Sequence, residues 1–178
     1  MNIIDTNIPD VKIIEPKVFG DERGFFLETF HHNRYQEILG ANVSFVQDNH
    51  SRSSKGILRG LHFQRTKPQG KLVRVVSGSV FDVAVDIRPG SPTFGQHEAI
   101  TLSAENKRQF WVPPGFAHGF LVLSDFADFE YKCTDYYDPS DEGCISWNDP
   151  QLNIDWPTTS PTLSTKDQNG LLLSESNL

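Results

Sequence analysis

The strict alternation of residues 80–87, VFDVAVDI, is the feature that most constrains how this chain folds. Large apolar residues occupy the odd-numbered positions, and two carboxylates, Asp82 and Asp86, lie among the even-numbered ones. A period of two residues is typical of a β-strand, because successive side chains point to opposite faces. Residues 71–76 precede this segment across the turn sequence SGS at 77–79, so we predict a hairpin. The pattern leaves open which face of the second strand meets a cavity.

Short β-type segments dominate the rest of the sequence. They are residues 25–30, 43–48, 58–63, 98–102, 110–112, 116–123, 129–133 and 143–147. Turn signals rich in Pro, Gly and Asp separate them, which favours an all-β sandwich, jelly roll or barrel. One helix is predicted over residues 33–39, where Tyr35, Ile38 and Leu39 form a stripe that Gly40 ends. A second, short helix is expected around residues 164–167.

Size and composition narrow the class of protein. A chain of 178 residues can bury a substantial core, so we expect residues 1–178 to form a single domain. The net charge of −7 argues against nucleic-acid binding through bulk electrostatics. Cys133 and Cys144 form no C-x-x-C pair, so inert thiols are expected rather than a disulfide scaffold or a zinc ribbon. The sequence has neither a secretory-signal pattern nor an apolar stretch of about 20 residues, and we expect a cytoplasmic protein without a membrane partner.

Two histidines lie in strand-like surroundings that suit either a core or a ligand site. His118 has a phenylalanine two residues away on each side, as a hydrogen-bonded core histidine or a polar group inside a β-barrel would. Strict alternation puts Arg59 and His62 on opposite faces of their strand. A β-bulge at Gly60, between them, would turn both side chains inward.

Several other polar residues allow two interpretations each. Lys71 and Asp82 lie on the two arms of the predicted hairpin and face either solvent or a ligand cavity. Gln47 and Asn49 are two residues apart, which suits ligand recognition and a solvated strand end equally well. Tyr131 is either a packed aromatic with its hydroxyl at the surface or a residue of the site.

The sequence contains none of the common metal or nucleotide motifs. A metal site in a double-stranded β-helix would typically offer a His-x-His pair, a nearby Glu and a distant His. The matching segment here, LHFQ at 61–64, has only one histidine. A P-loop, a G-x-G-x-x-G loop and a G-x-S-x-G elbow are also missing from the sequence. We therefore expect a protein without a metal.

Nine motifs follow one another along the chain in a fixed order. They are DERGFFLE at 21–28, QDN at 47–49, GILRGLHFQ at 56–64, PQGKLVR at 68–74, FDVAVDIR at 81–88, SPTFG at 91–95, LSAENKR at 102–108, PGFAHGF at 114–120 and YKCTDYY at 131–137. Together they resemble the dTDP-4-dehydrorhamnose 3,5-epimerases, a family of cupin-fold enzymes that act on sugar nucleotides. The resemblance covers about residues 13–167 and implies an all-β cupin jelly roll, a double-stranded β-helix with a few short peripheral helices.

The resemblance also implies an activity and the residues that carry it. The family inverts C3 and C5 of dTDP-4-dehydro-6-deoxy-α-D-glucose to give dTDP-4-dehydro-β-L-rhamnose, in dTDP-L-rhamnose biosynthesis, with no metal and no organic cofactor. His62 matches the base, Asp167 its partner carboxylate and Tyr131 the acid. Lys71 matches the cation beside the C4 oxygen, and Asp82 a further position in the active site. The matching substrate-binding positions are Arg23, Phe26, Glu28, Gln47, Asn49, Arg59, His118, Tyr137, Glu142 and Lys166.

Two of these positions and one segment have more specific implied roles. Arg59 matches a phosphate contact, and Tyr137 matches an aromatic ring stacked on thymine. The family forms homodimers, in which the segment matching residues 23–28 reaches the active site of the neighbouring subunit. The implied partners are therefore the dTDP-sugar substrate and a second copy of this chain.

The chemistry of the implied reaction suits these residue types. C3 and C5 both flank the C4 ketone, so one carbonyl acidifies both protons. A neutral histidine is a competent base near pH 7, and a lysine ammonium stabilises the enolate that forms. Three alternatives remain: an epimerase of one carbon only, a non-catalytic sugar-nucleotide-binding cupin, and a metal-dependent cupin dioxygenase. The complete set of His62, Tyr131 and Lys71 argues against the second, and the lack of His-x-His argues against the third.

Overall fold

The computed structural model describes residues 1–178 and is built mainly of β-strands. The elements, in chain order, are β1 (Asn2–Asp5), β2 (Lys12–Glu15), β3 (Val18–Asp21), β4 (Gly24–Leu27), α1 (His32–Leu39), β5 (Gln47–Ser54), β6 (Leu58–Gln64), β7 (Lys71–Ser77), β8 (Ser79–Asp86), β9 (His97–Ser103), β10 (Gln109–Val112), β11 (Phe116–Val122), β12 (Phe126–Cys133), β13 (Glu142–Cys144), α2 (Thr165–Gln168) and a final 3₁₀ turn (Leu173–Glu175). The predicted all-β class is confirmed, and so are both predicted helices, to within one residue at their ends.

Two antiparallel sheets face each other and enclose the core. Their strand orders are β1-β2-β10-β7-β12-β5 and β13-β6-β11-β8-β9. The largest buried cluster lies between them, with Val73 and Phe129 contributed by the first sheet and Val80 and Phe120 by the second. This burial of apolar faces between two sheets is what holds a β-sandwich together.

The segments predicted as a hairpin are strands, but the predicted pairing between them is wrong. Strand β7 pairs with β10 and β12, whereas β8 pairs with β11 and β9 in the other sheet. The turn at Gly78 therefore carries the chain from one sheet to the other. Gly78 has φ +76°, and a Cβ there would lie 2.0 Å from the carbonyl oxygen of Phe126, so only glycine fits this crossing.

Both faces of β8 are buried, which the alternation alone does not reveal. Val80 and Asp82 face the space between the sheets. The larger apolar set, including Val83 and Val85, packs on the outside of its sheet against Trp156 and the C-terminal segment. The carboxylate face of this strand is thus the one that looks into the interior, where a ligand cavity can form.

Strand β5 differs most from its prediction, which placed a strand over residues 43–48. It begins at Gln47 and continues to Ser54 through the polar sequence QDNHSRSS. It lies at the edge of its sheet and pairs with β12 along its whole length, from Gln47 opposite Cys133 to Ser54 opposite Phe126. Hydrogen bonds to a strand more than 70 residues away in sequence define it, and an apolar pattern does not.

Strands β3 and β4 form a separate two-stranded arm. Three phenylalanines on it are mostly solvent-exposed: Phe19 is 53% exposed, Phe25 63% and Phe26 68%. Apolar side chains of this size are normally buried in a monomer, so an exposed group of three is an unusual feature of this surface.

Helix α1 covers the outer face of the six-stranded sheet. Its buried Tyr35 packs with Leu72 and Trp111, and the Tyr35 hydroxyl donates a 2.7 Å hydrogen bond to Gln109 Oε1. On the opposite side of the molecule, residues 162–171 run back along β6 and β13 and bring α2 against β6. The longest helix has eight residues, and no helix has the length and apolarity needed to cross a membrane.

Candidate active site

A cavity of about 280 Å³ opens between the two sheets. One wall comes from β6, β11 and β13 of the five-stranded sheet, and the other from β5, β7 and β12 of the six-stranded sheet. The predicted site residues that line it are Gln47, Asn49, Arg59, His62, Lys71, His118, Tyr131, Tyr137, Glu142 and Lys166. These side chains are distributed over some 120 residues of sequence and meet in one place only because of the sheet topology.

A β-bulge in β6 turns both Arg59 and His62 into the cavity, as the glycine between them predicts. His118 pairs with His62 and Phe120 pairs with Arg59, so two residues of β6 oppose the single residue Gly119. Gly60 has φ +119°, and a Cβ on it would lie 2.5 Å from the Cα of Gly119. Glycine is therefore required here for both its conformation and its size.

Asp167 holds one ring nitrogen of His62. The distance from His62 Nε2 to Asp167 Oδ1 is 2.5 Å, and Ser164 Oγ donates a 2.7 Å hydrogen bond to Asp167 Oδ2. Burial opposes ionisation of Asp167, but the hydrogen bonds from His62 and Ser164 outweigh it and lower the pKa of this carboxyl group. An ionised Asp167 fixes the imidazole with its proton on Nε2, which leaves a lone pair on Nδ1.

A cluster of charged and polar groups lies beside the free nitrogen of His62. Glu142 Oε1 is 3.9 Å from His62 Nδ1. The other oxygen, Oε2, accepts hydrogen bonds from Lys166 Nζ at 2.6 Å and from the Tyr137 hydroxyl at 2.9 Å. Burial raises the pKa of Glu142, but the bonds from Lys166 and Tyr137 dominate and lower it overall. The cluster links α2 to the loop that carries Tyr137.

The opposite wall contributes Tyr131 and Lys71 from neighbouring strands. Burial is the main cause that raises the pKa of the Tyr131 hydroxyl, so it keeps its proton at neutral pH. Burial also lowers the pKa of Lys71, and the negative groups around it, Glu142 and Asp82 among them, counteract that shift only in part. This wall therefore holds a protonated phenol and a partly desolvated amine.

Two amide side chains complete the same wall. Gln47 Nε2 donates to Asn49 Oδ1 at 3.1 Å, and Asn49 Nδ2 contacts the Cys133 sulfur at 3.6 Å. Gln47 Oε1 accepts from the backbone N–H of Tyr137 at 3.0 Å. Gln47 and Asn49 are two residues apart on one strand and therefore share a face, and the structure shows that this face lines the cavity.

A second histidine–carboxylate pair lies at the floor of the cavity. His118 Nε2 is 2.9 Å from Asp82 Oδ1, and the His118 ring stacks on Phe129 at 6.0 Å between centroids. Asp82 is fully buried, and its second oxygen, Oδ2, has no hydrogen-bond partner. A buried unpaired carboxylate oxygen is costly, so a hydrogen-bond donor is needed beside it.

The predicted residues of the N-terminal motif lie outside this cavity. Arg23 forms an ion pair with Asp21 on the arm, and the Phe26 side chain is exposed. Glu28 accepts a 2.5 Å hydrogen bond from Arg34. These three residues do not reach the cavity of their own chain.

The structure also places residues near the cavity that the sequence did not single out. Gln64 and Gln69 donate hydrogen bonds to backbone oxygens of the loop at residues 135–136 and so hold the segment that precedes Tyr137. Cys144 lies beside the His62–Asp167 dyad, with its sulfur 3.9 Å from Asp167 Oδ1. Burial raises the pKa of this thiol to about 12. Cys144 lies outside the nine motifs, and only the strand pairing of β13 with β6 reveals that it is close to His62.

The arrangement has the elements needed to move protons on two sides of a bound molecule. One wall offers an imidazole lone pair on a carboxylate-held histidine, and the facing wall offers a protonated phenol with an amine nearby. Groups of this kind abstract a proton next to a carbonyl, stabilise the resulting enolate and return a proton from the other side.

Comparison with known proteins places the chain among sugar-nucleotide epimerases. Residues 5–175 match the family model of dTDP-4-dehydrorhamnose 3,5-epimerase. The dTDP-4-dehydrorhamnose 3,5-epimerase of Pseudomonas aeruginosa is 62% identical over 164 residues, which cover 92% of this chain and 91% of the relative. A crystal structure of dTDP-6-deoxy-D-glucose-3,5-epimerase from Legionella pneumophila in complex with dTDP-4-keto-L-rhamnose is 63% identical and superposes with a TM-score of 0.95, covering 98% of this chain and 93% of that one.

Relatives that act on one carbon are more distant. A dTDP-4-dehydrorhamnose 3-epimerase of Streptomyces niveus is 42% identical over 176 residues, which cover 98% of this chain and 85% of the relative.

Proposed function

This chain belongs to the dTDP-4-dehydrorhamnose 3,5-epimerase family, and we propose that it works as such an isomerase. It inverts C3 and C5 of dTDP-4-dehydro-6-deoxy-α-D-glucose and produces dTDP-4-dehydro-β-L-rhamnose for dTDP-L-rhamnose biosynthesis. The observation that carries this assignment is the position of His62 and Tyr131 on facing sheets of one cavity. Inversion requires a proton to leave one face of the sugar ring and another to arrive on the opposite face.

In the proposed mechanism, His62 removes the protons from C3 and C5, one in each of two rounds. Its Nδ1 lone pair is available because Asp167 accepts the hydrogen bond from Nε2. As the imidazole takes up the proton, the Asp167 carboxylate stabilises the imidazolium ion through that bond of 2.5 Å. A positioned base of this kind typically contributes a factor of about 10²–10⁴ to the rate.

Lys71 is proposed to hold the C4 oxygen. Each deprotonation moves negative charge onto this oxygen as an enolate forms, and the ammonium group of Lys71 stabilises the charge where it develops. The second pair, His118 and Asp82, forms the floor of the cavity and supports the same end of the sugar. The unpaired Asp82 Oδ2 is available to accept a hydrogen bond from a donor in this region.

Tyr131 is proposed to return the proton from the opposite wall. Because burial raises its pKa, the phenol stays protonated until the enolate accepts its proton. The step forms a C–H bond on the face away from His62 and leaves a phenolate, which regains a proton from solvent. Both carbons use the same pair of groups in two successive rounds, and between the rounds the His62 imidazolium releases its proton to solvent.

The nucleotide end of the substrate is proposed to bind at the mouth of the cavity. Arg59 suits a bidentate grip on the diphosphate, and the ring of Tyr137, half exposed, suits stacking on thymine. Gln47 and Asn49 offer amides to the substrate, and Lys166 with Glu142 offers one charge of each sign. In this proposal residues 1–178 form a single domain.

We further propose that the protein is a cytoplasmic homodimer whose N-terminal arms exchange. Arg23, Phe26 and Glu28 do not reach the cavity of their own chain, and the exposed phenylalanines of the arm call for a partner surface. In a dimer these three residues would complete the cavity of the second copy. Sedimentation velocity tests this: a dimer is expected, and an active monomer would contradict the exchange.

An epimerase of C3 alone is the second candidate, because a relative with that activity is 42% identical to this chain. The two activities differ in whether C5 also comes within reach of the base. Incubation with dTDP-4-dehydro-6-deoxyglucose in D₂O, followed by NMR, distinguishes them. Deuterium at both C3 and C5 supports the double epimerase, and deuterium at C3 only supports the single one. No incorporation with tight substrate binding would contradict both and leave a binding module.

A further inference from the structure

Cys144 is the cross-strand neighbour of the proposed base. In the antiparallel pairing of β13 with β6, Cys144 lies opposite His62. The next pair, Leu61 with Ile145, exchanges both backbone hydrogen bonds, at 3.2 and 2.9 Å. His62 and Cys144 therefore form a non-hydrogen-bonded pair, the kind in which two facing side chains come closest.

The backbone of β13 is fixed on its other side as well. Leu171 donates a 3.0 Å hydrogen bond to the Cys144 carbonyl oxygen, and Ser146 donates a 2.8 Å bond to the Leu171 carbonyl oxygen. The same C-terminal segment carries Asp167 on α2. Cys144 and Asp167 are thus held by one hydrogen-bonded unit, and their relative position does not depend on a mobile loop.

Three ligand atoms of different chemistry converge in this place. A ring nitrogen of His62, Cys144 Sγ and a carboxylate oxygen of Asp167 all lie within 4.8 Å of one another. The sulfur is 3.9 Å and the imidazole nitrogen 2.5 Å from Asp167 Oδ1. Ligands of tetrahedral zinc stand about 3.3–3.7 Å apart, given bond lengths of about 2.0–2.3 Å. The His62–Asp167 contact has to widen by roughly 0.8 Å from 2.5 Å, and the sulfur has to move closer, from 3.9 Å in the case of Asp167 Oδ1.

We propose that His62, Cys144 and Asp167 form an inhibitory binding site for zinc and similar thiophilic cations. The ion takes the place of the proton that His62 and Asp167 share. The thiolate makes the site selective, because sulfur ligands favour zinc, cobalt and cadmium over magnesium and calcium. Binding at this site is independent of the proposed function, whereas the inhibition rests on it.

The proton balance explains why such an ion would inhibit. Binding releases the Cys144 thiol proton to solvent as the metal–sulfur bond forms. The Nε2 proton of His62 must also leave, so the neutral ring carries its proton on Nδ1 instead. Nδ1 is the nitrogen proposed to accept the substrate proton, and Glu142 Oε1, 3.9 Å away, favours a proton there. The metal therefore locks the base in the tautomer that cannot react.

Cobalt spectroscopy tests the site directly, without substrate. Co²⁺ is added to the purified protein, and the thiolate-to-cobalt charge-transfer band is recorded in the near ultraviolet. We expect the band in the wild-type protein and in Cys133→Ala, which keeps Cys144, and its loss in Cys144→Ser and Cys144→Ala. No band in the wild type, or a band that survives both Cys144 variants, would overturn the proposal.

Inhibition of the epimerase by Zn²⁺ is the second readout, measured against the metal-free activity of each variant. We expect the inhibition constant to rise at least about 10-fold in Cys144→Ser, since even an outer-shell change costs 10–100-fold in affinity. Mg²⁺ at the same concentration should have no effect, and a chelator should restore activity. Equal zinc inhibition of wild type and Cys144→Ser would contradict the inhibitory role. A metal-free wild type without activity would contradict the proposed function, while the cobalt band still reports on the site.

Discussion

The two walls of the cavity control protonation in different ways. On the five-stranded sheet, His62 and His118 each bond to a buried carboxylate, Asp167 and Asp82, at 2.5 and 2.9 Å. On the six-stranded sheet, Tyr131 and Lys71 have no such partner, and burial is the main cause of their pKa shifts, upward for the phenol and downward for the amine.

This difference assigns the walls opposite tasks. A carboxylate that holds an imidazole favours proton uptake, so the first wall suits a base. Desolvation of a phenol disfavours its anion, so the second wall suits a proton donor. One cavity thus combines histidine–carboxylate hydrogen bonds on one wall with desolvated side chains on the other. The predictions for His62, Lys71 and Gly60 each change one wall and leave the other intact.

Removing the base should have the largest effect. In His62→Asn the base wall loses its proton acceptor, and we expect deuterium exchange at C3 and C5 to fall by at least about 10³-fold, near the upper part of the range for a positioned base. NMR of the sugar nucleotide in D₂O measures this. His32→Asn, an exposed histidine at the start of α1, is the matched control and should exchange at the wild-type rate. Exchange retained in His62→Asn would place the base elsewhere.

Lys71 should determine the alkaline side of the pH profile. The reaction needs the ammonium form of Lys71, and the pKa of this group is lowered by burial. We therefore expect the rate to fall as the pH rises, and the fall to begin below the usual lysine pKa of about 10.4. Lys71→Gln should lower kcat by about 10²-fold, as loss of a charge beside a developing oxyanion does. Lys71→Arg stays charged, and its alkaline decline should move to higher pH. An unchanged alkaline decline in Lys71→Arg would show that another group sets it.

The β-bulge in β6, which turns His62 into the cavity, should not tolerate a side chain at position 60. In Gly60→Ala the new Cβ meets the Gly119 Cα at 2.5 Å and the His118 carbonyl oxygen at 2.6 Å, in a backbone with φ +119°. We expect a loss of roughly 3 kcal/mol in the free energy of unfolding, from strain and overpacking together. Gly40 has φ +114°, but a Cβ there would have no atom within 4 Å. Gly40→Ala should therefore lower the free energy of unfolding by only about 1 kcal/mol. Urea denaturation compares them, and equal losses would mean that the close contact is unimportant.

Asp86 and Asp82, on one face of β8, should differ in their effect on stability. Asp86 is buried, and although burial opposes its ionisation, hydrogen bonds from Arg88, Ser91 and Thr93 lower its pKa. Its folded pKa is below the unfolded value of about 3.9, so it stabilises the fold above that pH and the contribution is lost as pH falls through the folded pKa. Asp86→Asn should cost about 2 kcal/mol at pH 7 and reduce the acid dependence.

Asp82→Asn is the matched comparison for that experiment. Asp82 Oδ1 bonds to His118, but Oδ2 has no partner, so the change should cost less than about 1 kcal/mol of stability and act mainly on activity. Urea denaturation from pH 7 down to about pH 2 measures both variants. If Asp82→Asn destabilised the protein more than Asp86→Asn, the hydrogen bonds of Asp86 would not account for its contribution to stability.

The sequence predicted the parts of the fold that carry a local pattern. The alternation of residues 80–87 identified β8, the stripe ending at Gly40 identified α1, and Gly60 marked the bulge in β6. It placed β5, whose polar residues become a strand through pairing with β12, too early in the chain, and it did not predict β1, β2 and β3 or the separation of β7 and β8 into different sheets. Strand partners depend on contacts between distant residues, and one sequence does not encode them as a visible period.

The candidate site was likewise predictable only where a local pattern marks its residues. His62 and Asp167 are 105 residues apart, and only the resemblance to the epimerase family connected them before the structure brought them within 2.5 Å. Cys144 carries no motif, and its position beside the dyad follows from the register of β13 on β6. Local chemistry identified candidate residue types, whereas sheet register decided which of them meet.

Tyr131→Phe offers the most direct test of the two-wall account, because exchange and inversion can be measured in one sample. The variant keeps the packing of the ring but removes the proton donor, and the base on the other wall is intact. In D₂O we expect deuterium to enter C3 and C5 by return from His62 to the original face, while formation of the rhamno product falls by about 10²–10³-fold. Equal losses of exchange and inversion, or inversion at the wild-type rate, would contradict the assignment of acid and base to opposite walls.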